Sequence, residues 1–268
     1  MEKIQSLIGA IVGECVGMKK FLAVIFIIFA GFSTVFSDTF SAFNAVLDNC
    51  DKTRAADMLG TFTEDFGQAI SGGSFGLGSS LGVLGIYASA KYSYQQARDG
   101  NEILKEAGAG GIGIPIAQFV LGLTSAVDAI ARIGYSEGAT VFGWGARYQL
   151  VDGASILPTI SIQSVYTFSN TISGENKFDA WNFKNSFSFA FTDIPLIQPY
   201  FQPYFFVSYD YTELTAKSSF YEGMSSSVSG IGYGAGASIS IKKRVNLSAS
   251  ISMYEDEPNW SVGLYVGI

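Results

Sequence analysis

WNFKNSFSFAFT, residues 181–192, places Trp181, Phe183, Asn185, Phe187, Phe189 and Phe191 on one side of an extended chain and Asn182, Lys184, Ser186, Ser188, Ala190 and Thr192 on the other. A period of two is the signature of a strand whose faces meet different surroundings. IGYGAGASISI, residues 231–241, splits the same way, with Ile231, Tyr233, Ala235, Ala237, Ile239 and Ile241 set against three Gly and two Ser. Val245 to Met253, Trp260 to Ile268, Thr140 to Leu150 and Ile160 to Phe168 repeat the pattern. Leu84 to Tyr92, Ile114 to Leu123 and Val127 to Tyr135 carry it in weaker form.

A water-soluble sandwich also alternates, but its exposed strand faces are rich in Lys, Glu and Thr, and its strands are short. Here the polar faces are Gly, Ser and Asn with sparse charge, as a narrow lumen requires. The alternating runs also match the roughly 9–11 residues with which a tilted strand crosses a bilayer. The expected fold is therefore an all-β, antiparallel, transmembrane up-and-down barrel of about ten strands. They fall near residues 84–92, 114–123, 127–135, 139–150, 157–169, 180–192, 200–212, 229–241, 245–254 and 260–268. Eight or twelve strands stay open. Closure matters because lipid cannot satisfy an open sheet edge. The longest links, 93–113, 170–179 and 213–228, all follow odd-numbered strands, as extracellular loops would, which puts both barrel ends in the periplasm. Trp181, Tyr211 and Trp260 then form an aromatic girdle toward the outer rim, with Phe191 and Ile268 toward the inner one.

Upstream, MKKFLAVIFIIFAGFSTVFSD from Met18 has two lysines, an apolar run and small residues where a signal peptidase cuts. Its apolar run is shorter than the roughly 20 residues a helical anchor needs. Residues 18–37 are expected to be a cleaved export signal, and residues 1–17 an upstream extension from an over-early start. Asp38 follows the cut, so the lipoprotein route, which needs Cys there, does not apply. Within residues 38–78, Phe43, Val46, Leu47, Cys50, Met58, Phe62, Phe66 and Ile70 recur at helical spacing until the glycines from Gly72 break it. This stripe must be buried, whether as a plug in the lumen, beneath the barrel or on another protein. The barrel occupies residues 79–268.

Composition narrows the chemistry. A formal charge of −7 and a pI near 4.6 exclude nucleic acid as a partner. No His is present, which removes His-dependent triads and most catalytic zinc sites, so no enzyme activity, metal or cofactor is expected. Gly108–Gly113 and Gly230–Gly236 lack the elements of a phosphate cradle, and Glu255, Asp256 and Glu257 are read as a solvated outer loop. The charges within the expected strands, Lys91, Asp128, Arg132, Arg147, Lys184 and Asp210, all take the lumen side. They make either a mutually neutralising network or, through Arg132, Arg147 and Lys184, the lining of an anion-favouring solute path.

IPIAQFVLGLT (114–124), AIARIGY (129–135), FGWGARYQL (142–150) and LPTISIQSVYTFSN (157–170) together resemble a group of outer-membrane proteins of Bacteroidetes type. The resemblance implies a barrel in the bacterial outer membrane and no particular activity. The closing VGLYVGI is similar to the terminal strand that the outer-membrane assembly machinery reads, with Ile268 where that signal ends in Phe. Outer-membrane lipid, that machinery and a small solute are the expected partners. The expected role is a channel for small or hydrophobic solutes, or alternatively a non-conducting barrel acting structurally or through its outer loops.

Overall fold

Period-two segments bury one face only if the sheet finds something to close around, and here it closes on itself. The computed structural model describes residues 40, 42–74, 78–136, 138–153, 157–171, 178–191, 201–217, 223–242, 245–254 and 257–267. The expected export signal, the upstream extension, Ile268 and the Glu255–Asp256 pair lie outside them. Ten strands pair antiparallel, each with the next: β1 (Ile86–Gln96), β2 (Gly111–Gly122), β3 (Val127–Ser136), β4 (Ala139–Val151), β5 (Thr159–Thr171), β6 (Phe178–Ala190), β7 (Phe201–Ala216), β8 (Ser225–Lys242), β9 (Val245–Tyr254) and β10 (Glu257–Gly267). The ring is completed by β10 against β1, from Tyr87 opposite Gly267 to Gln95 opposite Asn259. This is a closed up-and-down barrel with no free edge.

The two faces are inverted relative to a soluble protein. Phe187, Phe205, Val207, Tyr209, Ile231, Tyr233 and Trp260 are exposed on the outer wall, while Asn182, Lys184, Ser186, Ser188, Ser208 and Asp210 are buried inside. Water would reverse that preference, since each exposed large apolar side chain forgoes ~1.5–3 kcal/mol of burial. Lipid removes the penalty, and the closed ladder leaves no backbone group for lipid to satisfy. Among the described residues no helix is long and apolar enough to cross a membrane.

Strand ends differ from the sequence reading mainly at one rim. β7 runs on to Ala216 and β8 starts at Ser225, because there the outer positions become Glu213, Thr215, Ser225, Ser227 and Ser229 and alternation loses its contrast. Eighteen residues at roughly 3.4 Å each give β8 a length of about 60 Å, so this hairpin projects well beyond the hydrocarbon. The loop-length asymmetry is weaker than expected, since residues 191–200, between β6 and β7, form a long link at the opposite rim.

Before the barrel come α1 (Phe43–Asp48) and α2 (Lys52–Ser71), and α3 (Glu102–Glu106) lies in the β1–β2 connection. Asp51 starts α2 by accepting from the Thr53 and Arg54 backbone N–H groups, each at 3.0 Å. The apolar stripe of α1 and α2 packs into the end of the barrel formed by the starts of β2, β4 and β6 and the end of β7. Phe40, Phe43, Leu47, Leu59, Phe62, Phe66 and Ile70 meet Ile112, Ile114, Ile116, Val141, Phe178 and Leu214 there. Phe178 is the hub, with ring centroids 4.9 Å from Phe66, 5.0 Å from Phe43 and 5.7 Å from Phe62.

Candidate functional site: the filled lumen

From the aromatic cluster the chain descends through the barrel. At Gly67 it touches the inner wall so closely that an added methyl would overlap the Thr212 side chain on β7. Four residues later α2 ends inside the lumen, where the last carbonyls of a helix lack intrahelical donors and carry the negative end of its dipole. The wall donates to Gln68 O, which also takes the Gly72 N–H at 2.9 Å, and to the three carbonyls that follow the helix. Asn259 of β10 donates to Gln68 O at 3.2 Å, Arg132 of β3 to Gly72 O at 2.6 Å, Lys91 of β1 to Gly73 O at 2.5 Å and Gln163 of β5 to Ser74 O at 3.0 Å. Donors from four strands around the ring converge on one short stretch, so that stretch occupies the lumen.

Further along, Asp128 of β3 holds the segment near the other rim. Its Oδ1 accepts from Ser80 Oγ and the Leu81 N–H, both at 3.0 Å, while Oδ2 accepts from Arg147 Nε at 2.8 Å and Nη2 at 2.7 Å. Gln149 Oε1 takes the Ser80 N–H at 2.6 Å. The chain leaves the lumen at Gly82 (φ 73°), where Gly122 of β2 exchanges backbone bonds with Leu84 and Gly85, and then turns back into β1. Leu84, at φ 61°, is the one non-glycine in the left-handed region among the described residues.

The six charged residues expected on the lumen side all lie inside the barrel and are buried: Asp128 at 0%, Asp210 at 2%, and Lys91, Arg132, Arg147 and Lys184 at 4%. They do not form one network. Arg147 pairs with Asp128 and Lys184 with Asp210 at 3.2 Å, whereas Lys91 and Arg132 serve the end of the helix, Lys91 also lying over the Tyr265 ring at 4.9 Å. Arg132 thus shares no ion pair with the other five. A small space lined by Leu81, Tyr87, Gln118, Arg147, Gln163 and Tyr265 offers about 10 Å³, room for no more than one water. Elsewhere β8 is glycine on its inner face, and a methyl at Gly234 or Gly236 would overlap the Phe206 or Tyr204 ring that fills the lumen there.

At the helical rim a second fastening joins α2 to the wall. Asp65 is fully buried and accepts from Asn101 Nδ2 at 2.7 Å, the Arg98 N–H at 3.1 Å and Arg98 Nε at 3.2 Å. Arg98 also meets Glu64 at 2.9 Å and donates to Tyr254 O at 3.3 Å. Burial pushes the Asp65 carboxyl above its ordinary range, against the pull of Asn101 and Arg98. Cys50 Sγ lies 3.2 Å from Leu47 O and 3.8 Å from Met58 Sδ, and burial raises its thiol pKa too.

Outside, Trp144, Tyr166, Trp181 and Tyr211 touch in series across β4 to β7, with centroid separations of 6.0, 5.4 and 4.9 Å. Trp181, Tyr211 and Trp260 all sit on the outer wall toward the helical rim. The lumen segment was missed as a site by sequence reasoning because residues 72–82 are mainly Gly and Ser, with Phe75, Leu77 and Leu81 among them, a composition that carries no chemical signature. One signal was present: Ile112, Ile114 and Ile116 give β2 an apolar inner face where neighbouring strands are polar, so an apolar occupant was required. Among the described residues no cluster of acidic or thiol side chains is set to hold a metal.

No family model matches the sequence, and no curated protein does. Solved structures with a similar fold include an outer membrane channel from Pseudomonas putida F1 (7% identity, 73% of this chain and 99% of that one, TM-score 0.43). Another is Ail, the attachment invasion locus protein of Yersinia pestis (14% identity, 69% and 98%, TM-score 0.32). A third is the outer membrane protease OmpT from Escherichia coli (9% identity, 69% and 97%, TM-score 0.39). A channel, an attachment protein and a protease are thus among the proteins of similar fold.

Proposed function

We propose that this protein is a bacterial outer-membrane barrel that keeps its lumen closed and acts structurally or through the helices and loops at one rim. The observation that carries the reading is the segment through the lumen, fastened from β1, β3, β5 and β10. Withdrawing α2 would uncover Met58, Leu59, Phe62, Phe66 and Ile70, all buried. At ~1.5–3 kcal/mol each this is on the order of 8–15 kcal/mol. Every 1.4 kcal/mol is about tenfold, so fewer than about one barrel in 10⁵ would stand open at any moment. Outer-membrane lipid as solvent is supported by the exposed aromatic and aliphatic wall, and the barrel assembly machinery by the strand-like VGLYVGI end. The Bacteroidetes-type resemblance fits the same setting.

A second reading, a solute channel, is favoured by one feature. From Gly72 to Gly82 the described contacts of the segment with the wall are mostly polar, with Leu81 packed against Val120, Ile130 and Val165, so this stretch has less apolar contact to lose on shifting than the aromatic cluster. The path uncovered would be lined by Arg132, Arg147 and Lys184 and would favour anions. Planar-bilayer recording separates the two. The refolded, heat-modifiable protein should be silent, and stable single-channel steps would refute closure.

A further inference from the structure

The N-terminal helices and the start of β1 lie at opposite rims although only residues 72–85 separate them. The helices pack on the starts of β2, β4 and β6, whereas β1 begins beside the end of β2, where Leu84 and Gly85 bond to Gly122. Between these rims residues 67–74 and 80–81 lie inside the barrel, against Thr212, Arg132, Lys91, Gln163 and Asp128 in turn. Which rim faces outward follows from two features. The barrel has ten strands, so its first and last residues, Ile86 and Gly267, share a rim. In outer-membrane barrels the periplasmic rim carries the short turns and the other rim carries the longer loops. The rim beside Ile86 has the connections 123–126, 152–158, 191–200 and 243–244, and the helical rim has two-residue links at 137–138 and 255–256. The helical rim has the longest connection, 97–110 with α3, and the projecting β7–β8 hairpin.

We infer that the polypeptide makes one more membrane crossing than its strands, through its own lumen, so that α1, α2 and α3 form a cap displayed at the cell surface. The inference rests on the reading of the protein as an outer-membrane barrel. It assigns the exposed, charged side of the cap, with Asp48, Asp51, Lys52, Arg54 and Asp57, to the external medium. It also requires the N-terminal segment to be in place before β1 and β10 pair, because a closed ring would have to pass a helix with buried phenylalanines.

The test uses full-length protein in cells with Cys15 and Cys50 replaced by Ser. Ala56→Cys puts a thiol on the exposed side of α2, and Ser125→Cys puts one in the exposed turn between β2 and β3 at the opposite rim. A membrane-impermeant maleimide is applied to intact cells and to cells whose outer membrane has been permeabilised. Heat-modifiability of each variant confirms that it has folded, and Lys52→Cys stands in if Ala56→Cys does not. Labelling of the cap position in intact cells, with the turn position labelled only after permeabilisation, is the expected result. The reverse pattern, or a cap position silent in intact cells, overturns the crossing while leaving the barrel standing. Recovery of the protein in the soluble periplasmic fraction would instead overturn the outer-membrane reading on which the inference depends.

Discussion

Asp128 touches both the wall and the threaded segment, and replacing it separates the two roles. Asp128→Ala leaves the Arg147 guanidinium, 4% exposed, without its carboxylate, and removal of one partner of a buried pair costs about 3–5 kcal/mol. It also deletes two bonds to the segment, from Ser80 Oγ and Leu81 N–H, worth about 1.5–3 kcal/mol each because the acceptor is charged. Replacing both ion-pair members, Asp128→Leu with Arg147→Met, removes the stranded charge, and a buried pair exchanged for apolar residues is close to neutral. The double variant should therefore keep only the second loss, about 3–6 kcal/mol, and lie between wild type and Asp128→Ala. The assay is reversible urea unfolding in phospholipid vesicles, followed by tryptophan fluorescence and by the shift of folded protein on unheated gels, with unchanged slope as the check that midpoints report stability. A double variant as unstable as the single one would show that the arginine is not the source of the cost. A double variant as stable as wild type would show that Asp128 does not fasten the segment.

Other expectations follow from neighbouring features. Phe66→Ala, at the stacked and edge-on centre of the rim cluster, should cost about 3–5 kcal/mol in the same unfolding measurement. Gly236→Ala should cost about 1–3 kcal/mol by crowding the Tyr204 ring and the Ala249 carbonyl, and Tyr204→Ala in the same chain should relieve the first of these alone. Asp65 has its folded-state pKa raised by burial, so the folded protein binds this proton more tightly than the unfolded chain. Its stabilising contribution is complete below the unfolded value near 3.9 and disappears as pH rises through the folded one. Asp65→Asn should flatten stability against pH on the acid side, and an unchanged profile would remove Asp65 from the account.

Much of the fold was legible because a barrel wall separates two solvents along every strand, and the strand period of two records that separation residue by residue. Where the separation stops, so does the signal. Glu213, Thr215, Ser225 and Ser227 are strand residues with polar surroundings outside, and sequence reasoning placed them in a loop. The inward facing of the six charged side chains follows from the same period, but their partners depend on register, which pairs Lys184 with Asp210 and Asp128 with Arg147 across neighbouring strands. The roles of Lys91 and Arg132 were hidden for another reason: they act on backbone carbonyls at Gly72 and Gly73, and carbonyls look alike in every sequence. The stripe from Phe43 to Ile70 announced burial but not its location, since a groove, a partner or a lumen would satisfy it equally.

The fastening of residues 72–74 and 80–81 inside the ring also bears on how the wall is built. β1 and β10 are the strands farthest apart in sequence, and bringing such distant segments together is the slow, entropically costly part of forming any closed sheet. Residues 68–74 bond to β1, β3, β5 and β10 alike, and they leave the ribosome before any of those strands. An early segment that later strands can recognise acts as a template, lowering the search for the final seam from a meeting of two remote edges to successive docking on one mandrel.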